Sequence, residues 1–133
     1  MKFTSFEVSK KLAEIGFCLY TELYYMADAK CHSKGKDFDD YELKHLNFED
    51  LPKLAKCYSV AAYDLETILQ ALPKSLQEYQ LCIYFELSFE STKFTYNWQK
   101  LEVKQNWNES LADTAARLLI LLHEKGYMDI KNV

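Results

Sequence analysis

Glycine and proline are scarce in this chain of 133 residues, with three and two residues respectively. Flexible and disordered linkers are rich in such residues, so their scarcity argues against a long linker. The length is typical of one domain, and a chain of this size buries roughly two-thirds of its unfolded surface. We therefore predict a single domain over residues 1–133, with a core that needs no disulfide or structural metal.

Arginine is almost absent, because Arg117 is the only one among the 16 basic residues. The guanidinium group binds phosphate and guanine through two parallel hydrogen bonds, which lysine cannot make. The formal net charge of −4 also opposes binding to the phosphate backbone. The composition therefore argues against a nucleic-acid-binding protein. Lys30, Lys34 and Lys36, with aromatic residues nearby, are the alternative basic patch for weak binding.

Long apolar runs are also missing. The longest uninterrupted aliphatic run covers residues 118–122, whereas a membrane-spanning helix needs about 20 apolar residues. Residues 1–7 do not form the apolar core of a signal peptide. The four cysteines are widely spaced and form no CxxC pair, so we expect reduced thiols and a cytoplasmic location without a membrane partner.

Capping residues and stop residues predict the ends of the first two helices. Thr4 and Glu7 fit a capping box, and Gly16 is a typical helix stop, so the first helix lies between them. Asp64 is a good N-cap for a second helix, which Pro73 ends. Apolar residues follow the helical period inside both segments.

Alternating side chains predict a β-hairpin in the C-terminal half. Residues 81–89 alternate between apolar and polar or mixed positions, and residues 94–98 do the same after a polar turn at 90–93. Two such segments joined by a short turn are typical of an antiparallel hairpin with one buried face. The fold class that we predict is therefore α+β, an antiparallel sheet around this hairpin, packed by N-terminal, middle and C-terminal helices.

The segment between the first and second helices has a less regular pattern of apolar and polar residues. Aromatic enrichment in residues 17–26 favours a strand, although a short helix starting near Thr21 is an alternative. Residues 28–40 are polar and indicate an exposed loop. Residues 41–45 alternate and suggest a short strand, and residues 47–57 suggest irregular helical turns.

The final helix begins at a Ser110 cap and ends at Gly126, and it is apolar almost all round. A helix with one face on a sheet normally has a polar opposite face. The second apolar face is therefore covered either by a partner, including a second copy of the chain, or by other parts of the same chain. The residues that we expect at such an interface are Leu118, Leu121 and Leu122.

Residues capable of chemistry are few. A metal site would have to combine Cys31 and His32 with His45 or Cys57, but zinc sites usually use two closely spaced ligand pairs. Cys31 is the best nucleophile, yet its sequence surroundings supply no carboxylate to orient His32 as a base. We therefore predict no metal, no cofactor and no catalytic residues. An enzyme of unrecognised type remains the alternative.

Three segments, residues 4–17, 61–74 and 108–127, resemble short uncharacterised proteins from phages and mobile elements of Bacteroidetes-type bacteria. Ala61 and Tyr63 stand where those proteins often have Pro and Trp. The resemblance covers about half of the chain, and it implies an origin in a bacterial host cell rather than a mechanism. The two-sided apolar final helix and the excess of Tyr and Trp favour a non-enzymatic accessory protein that acts through protein–protein contact, and the mobile-element origin fits this by analogy.

Overall fold

A computed structural model of the chain describes residues 2–28, 41–46, 57–97 and 101–129. It confirms the α+β class, with helices in the N-terminal, middle and C-terminal parts. The elements in chain order are α1 (Phe6–Glu14), β1 (Leu23–Asp28), β2 (Glu42–His45), β3 (Cys57–Ala62), α2 (Leu65–Ala71), β4 (Ser75–Leu76), β5 (Tyr79–Gln80), β6 (Cys82–Glu86), β7 (Ser91–Thr95), β8 (Glu102–Lys104) and α3 (Leu111–Glu124).

Within the described ranges, the strands form two separate three-stranded antiparallel sheets and a small hairpin, rather than one sheet. One sheet has the order β2-β1-β3, the other has the order β6-β7-β8, and β4 pairs with β5. The segment that begins at Leu23 is a strand, as the aromatic enrichment favoured. The short strand expected near residues 41–45 is β2. β3 and β8 had no clear alternation and were not expected from the sequence.

α1 begins one residue later than the capping box indicates. Its N-cap is Ser5, whose hydroxyl accepts a hydrogen bond from the Val8 N–H at 3.4 Å, and Thr4 is instead fully buried. The predicted stop is confirmed, because Gly16 has a φ of 91° and the Phe17 N–H donates to the Leu12 carbonyl at 2.9 Å. This geometry is the Schellman motif, and it returns the Phe17 ring to the core.

α3 is the central element of the core. It packs against α1, α2, β7 and β8, so its neighbours surround most of its circumference. Its ends agree with the sequence: the Ser110 hydroxyl accepts from the Asp113 N–H at 3.1 Å, and Gly126 has a φ of 78°. α2 likewise begins at an Asp64 cap, which accepts from Thr67 at 2.8 Å. The apolar second face of α3 is thus covered largely within one chain.

The β6–β7 hairpin lies where alternation placed it, but its turn comes earlier. Glu86 pairs with Ser91, so residues 87–90 form the turn instead of residues 90–93. Two apolar residues that the alternation assigned to a strand, Leu87 and Phe89, therefore lie in the turn. None of the helices in the described segments is long and apolar enough to cross a membrane.

Candidate interaction surface

β6 is an edge strand that α3 does not cover. In the sheet β6-β7-β8, α3 packs against β7 and β8, and Phe94 and Val103 on those strands are buried beneath it. Ile83 is the cross-strand neighbour of Phe94, yet 47% of its surface is exposed. The predicted buried face of β6 is therefore wrong, because the helix stops short of this strand.

Both faces of β6 are exposed in its middle. Phe85 lies on the same face as Ile83 and is 55% exposed, and Tyr84 on the opposite face is 42% exposed. The turn continues this apolar surface with Leu87 and Phe89, which are 84% and 66% exposed. We call these residues the hairpin surface: Ile83, Tyr84, Phe85, Leu87 and Phe89. Most of the large hydrophobic side chains exposed in the described part of the chain belong to it.

Trp107 extends the hairpin surface from a neighbouring loop. Its side chain is 91% exposed, and it lines a cavity of about 340 Å³ together with Phe89, Glu90 and Gln105. A tryptophan placed at the rim of a concave surface is a common anchor of protein interfaces. The tryptophan loop, residues 105–110, and the hairpin turn thus form one continuous end of the sheet.

Glu109 fixes the tryptophan loop. One carboxylate oxygen accepts the Asn106 N–H at 3.0 Å and the Thr114 hydroxyl at 2.9 Å, and Arg117 donates to both oxygens at 2.7 Å. Burial alone would raise the pKa of Glu109, but the hydrogen bonds from Arg117, Asn106 and Thr114 outweigh it and lower the pKa. The loop that displays Trp107 is therefore held by a charged hydrogen-bond network.

We expect Glu109→Gln to lower the free energy of unfolding by about 1–2 kcal/mol at neutral pH, since the neutral amide loses charge-assisted bonds. A lowered carboxyl pKa stabilises the folded state above the ordinary value of 4.5, and this contribution is lost as the pH falls through the lowered pKa. The difference between the wild type and Glu109→Gln should therefore shrink in acid. Urea unfolding at pH 7 and below pH 4 measures it, and a difference independent of pH contradicts the assignment.

Two lysines orient aromatic rings of the hairpin surface on the face away from α3. Lys93 Nζ lies 2.8 Å from Glu102 and 5.7 Å from the centre of the Tyr84 ring. Hydrogen bonds to Glu102 and then Tyr84 raise the pKa of Lys93, so its charge persists. Lys104 Nζ lies 4.5 Å from the centre of the Phe89 ring. Both distances fall within the range of cation–π attraction, which favours these positions of the rings.

A second concave region lies between α1, β8 and α3. It has a volume of about 480 Å³ and is lined by Leu121, Ile120 and Val103 below charged residues. Most of its charged rim is already paired: Lys11 lies 3.5 Å from Glu124, and Arg117 is engaged by Glu109 as described above. The groove therefore resembles a shallow packing gap more than a site with converging reactive groups.

The residues predicted as an α3 interface do not lie together at the surface. Leu118 and Leu122 are fully buried in the core of a single chain, so a partner could reach them only if that core opened. Leu121 is partly exposed and lines the groove. The hairpin surface was not predicted from the sequence. Alternation shows which residues share one face of a strand, but it does not show whether a helix covers that face.

Several residues that could carry chemistry lie outside the described residues, namely Lys30, Cys31, His32, Lys34 and Lys36. Of the polar loop expected at residues 28–40, only Asp28 is described, as the end of β1. Of the helical turns expected at residues 47–57, only Cys57 is described, as the start of β3. Within the four described ranges, no group of three or more His, Cys, Asp or Glu side chains could hold a metal ion. No family model, curated protein or solved structure matches this chain.

Proposed function

We propose that this chain is a non-enzymatic accessory protein that binds another polypeptide along the free edge of β6. One observation carries the proposal: the middle of an edge strand exposes Ile83, Tyr84 and Phe85 on both of its faces. The resemblance to small proteins of phages and mobile elements accords with an accessory role by analogy alone.

Among the described residues, the edge of β6 lacks the features that usually prevent strands from pairing. Natural edge strands are protected by lysine, proline, bulges or a covering element. β6 contains neither lysine nor proline, and Glu86, its one charged residue, turns toward Lys93 and Lys104 with distances of 3.9 and 3.7 Å. An extended segment that adds to this edge gains main-chain hydrogen bonds, which is the β-augmentation mode of recognition.

The side chains around the edge supply the specificity that main-chain pairing lacks. Phe85 and Tyr84 offer apolar contacts on opposite faces of the added strand, and Phe89 with Trp107 offers an aromatic rim at one end. Aromatic residues in such positions bury a large area with few rotatable bonds. The partner that fits this surface is an extended, apolar β-strand segment.

Photo-crosslinking tests the proposal in the intact chain. A benzophenone side chain in place of Tyr84 should give one discrete protein adduct in bacterial cells, because the side chain at this position would lie beside the side chains of the added strand. The same side chain in place of Tyr20 is the matched control, since Tyr20 is 68% exposed but lies before β1, outside the hairpin surface.

The adduct at position 84 should also disappear when Phe85→Lys places a charge on the edge. A folded Phe85→Lys variant that crosslinks as well as the parent would show that strand addition is not the binding mode. Equal labelling from positions 84 and 20, or no adduct from either position, would contradict the proposed function itself.

A further inference from the structure

The hydrogen bonds of β7 reveal which backbone groups of β6 are free. The Gln105 N–H donates to the Thr92 carbonyl at 2.8 Å, so Thr92 directs its backbone groups toward β8. Successive residues of an antiparallel strand point these groups in opposite directions. Lys93 therefore directs its groups toward β6, where its partner is Tyr84. It follows that the residues on either side of Tyr84 direct their N–H and C=O groups away from β7.

The free edge is short and has a defined start. The Leu81 N–H donates to the Lys74 carbonyl at 2.9 Å, which extends the β4–β5 pairing up to the first residue before β6. At the other end, the turn begins at Leu87. The residues whose outward N–H and C=O groups both remain for a partner strand are therefore Ile83 and Phe85.

We propose that the polypeptide bound at this edge is a second copy of the chain, paired antiparallel through β6 with Tyr84 on the two-fold axis. This inference rests on the proposed function and names its partner. Each copy then offers Ile83 and Phe85 to the other, which makes four main-chain hydrogen bonds across the axis. The two three-stranded sheets become one six-stranded sheet, with both copies of α3 on the same side.

The positions of the free groups select this register. A register centred on Ile83 would need the Leu81 N–H, which already binds Lys74. A register centred on Phe85 would need Leu87, which lies in the turn. Pairing centred on Tyr84 uses all of the outward groups of Ile83 and Phe85 in both copies, as a self-complementary interface requires.

The side chains also match across this axis. Ile83 lies opposite the partner's Phe85, on the side of the sheet where α3 leaves both residues exposed. Tyr84 lies opposite the partner's Tyr84 at a non-hydrogen-bonded position, where side chains are closest. Glu86 lies opposite the partner's Cys82, so two carboxylates do not face each other. Apolar and aromatic cross-strand pairs stabilise such sheets, whereas like charges in opposition destabilise them.

A disulfide trap tests the register directly. In a Cys82→Ser background, Tyr84→Cys places two thiols opposite each other across the axis, with Cα atoms roughly 4.5 Å apart. Ile83→Cys is the matched control, because the two introduced thiols are then offset diagonally by about 7–8 Å, beyond disulfide reach. We expect on the order of tenfold more linked dimer from Tyr84→Cys under mild oxidation, at twice the 15.7 kDa chain mass.

Light scattering over a concentration series tests the dimer without a crosslink. We expect the wild type to approach twice the chain mass, and Phe85→Lys to remain a folded monomer. Leu121→Asp is the control for the α3 groove and should retain the dimer. A dimer that Leu121→Asp dissociates and Phe85→Lys leaves intact would overturn the β6 interface in favour of α3.

The two proposals fail in different ways. A wild type that is monomeric at every concentration, with equal linkage from Tyr84→Cys and Ile83→Cys, overturns the second copy as partner. If position 84 then crosslinks to a different polypeptide in cells, the strand-addition function stands with another partner. If position 84 crosslinks to nothing, the proposed function falls as well.

Discussion

We expect Leu118→Ala to lower the free energy of unfolding by ~2–5 kcal/mol, the usual range for a buried leucine replaced by alanine. Leu118 is fully buried in the main core cluster, which also contains Ile68 from α2 and Phe94 from β7. The substitution removes apolar contacts and leaves a cavity that the surrounding elements cannot fill completely. For a chain of this size, the melting temperature should fall by roughly 10 °C.

Leu121→Ala is the matched control, because it makes the same change three residues along the same helix. Leu121 is partly exposed and lines the groove beside α1, so we expect a loss of about 1 kcal/mol. Urea unfolding followed by circular dichroism gives both values. Similar losses from the two variants would mean that α3 is not buried as described and that its apolar residues serve an interface instead.

Local signals allowed the helix ends to be predicted from the sequence. Gly16 and Gly126 both adopt the positive φ of a helix stop, and Asp64 and Ser110 both cap a helix through their side chains. In each case the controlling interaction joins residues a few positions apart, so the sequence contains all of its parts. The predicted cap at Thr4 missed by one residue, because an equally good capping residue, Ser5, follows it.

The burial of strands could not be predicted in the same way. Ile83 and Phe94 have similar alternating surroundings in the sequence, but α3 covers only Phe94. The extent of a helix over a sheet depends on loops and crossing geometry, which a periodic pattern does not encode. This is why the apolar pattern of β6 suggested a core face where the structure has the hairpin surface.

One edge of the other sheet, β3, could not be predicted for a related reason. β1 lies between β2 and β3, and its pairing to β3 joins Leu23 to Ala62 across 39 positions of the chain. Residues 57–62 combine small and apolar residues without alternation, a pattern that does not distinguish a strand from a loop. The sequence therefore predicted the helices better than it predicted β3.

Asp113 illustrates a residue whose partner lies far away in the sequence. Its own N–H completes the α3 cap, as expected, but its carboxylate accepts the Ser5 N–H at 2.7 Å and so joins the starts of α3 and α1. Burial raises the pKa of Asp113, although the bond from Ser5 opposes this effect. The capping pattern predicted the local bond and could not predict the one that spans 108 positions.

The second large effect is expected at Thr4, where Thr4→Val should lower the free energy of unfolding by about 1–3 kcal/mol. Thr4 is fully buried, and its hydroxyl accepts the Tyr63 N–H at 3.0 Å and lies 2.7 Å from the Ser9 hydroxyl. Valine has nearly the same shape but no hydroxyl, so the Tyr63 N–H keeps its burial and loses its acceptor. The cost is the desolvation of an unpaired donor rather than a lost contact.

Two further variants isolate this cost. Thr92→Val makes the same change at a partly exposed strand position and should alter stability by no more than about 0.5 kcal/mol. Thr4→Ser keeps the hydroxyl and removes one methyl group, so it should cost about 1 kcal/mol. Chemical unfolding at pH 7 ranks the three. If Thr4→Val proves no more damaging than Thr4→Ser, then the hydroxyl does not hold the N-terminal segment to Tyr63, and packing of the methyl group accounts for the burial of Thr4.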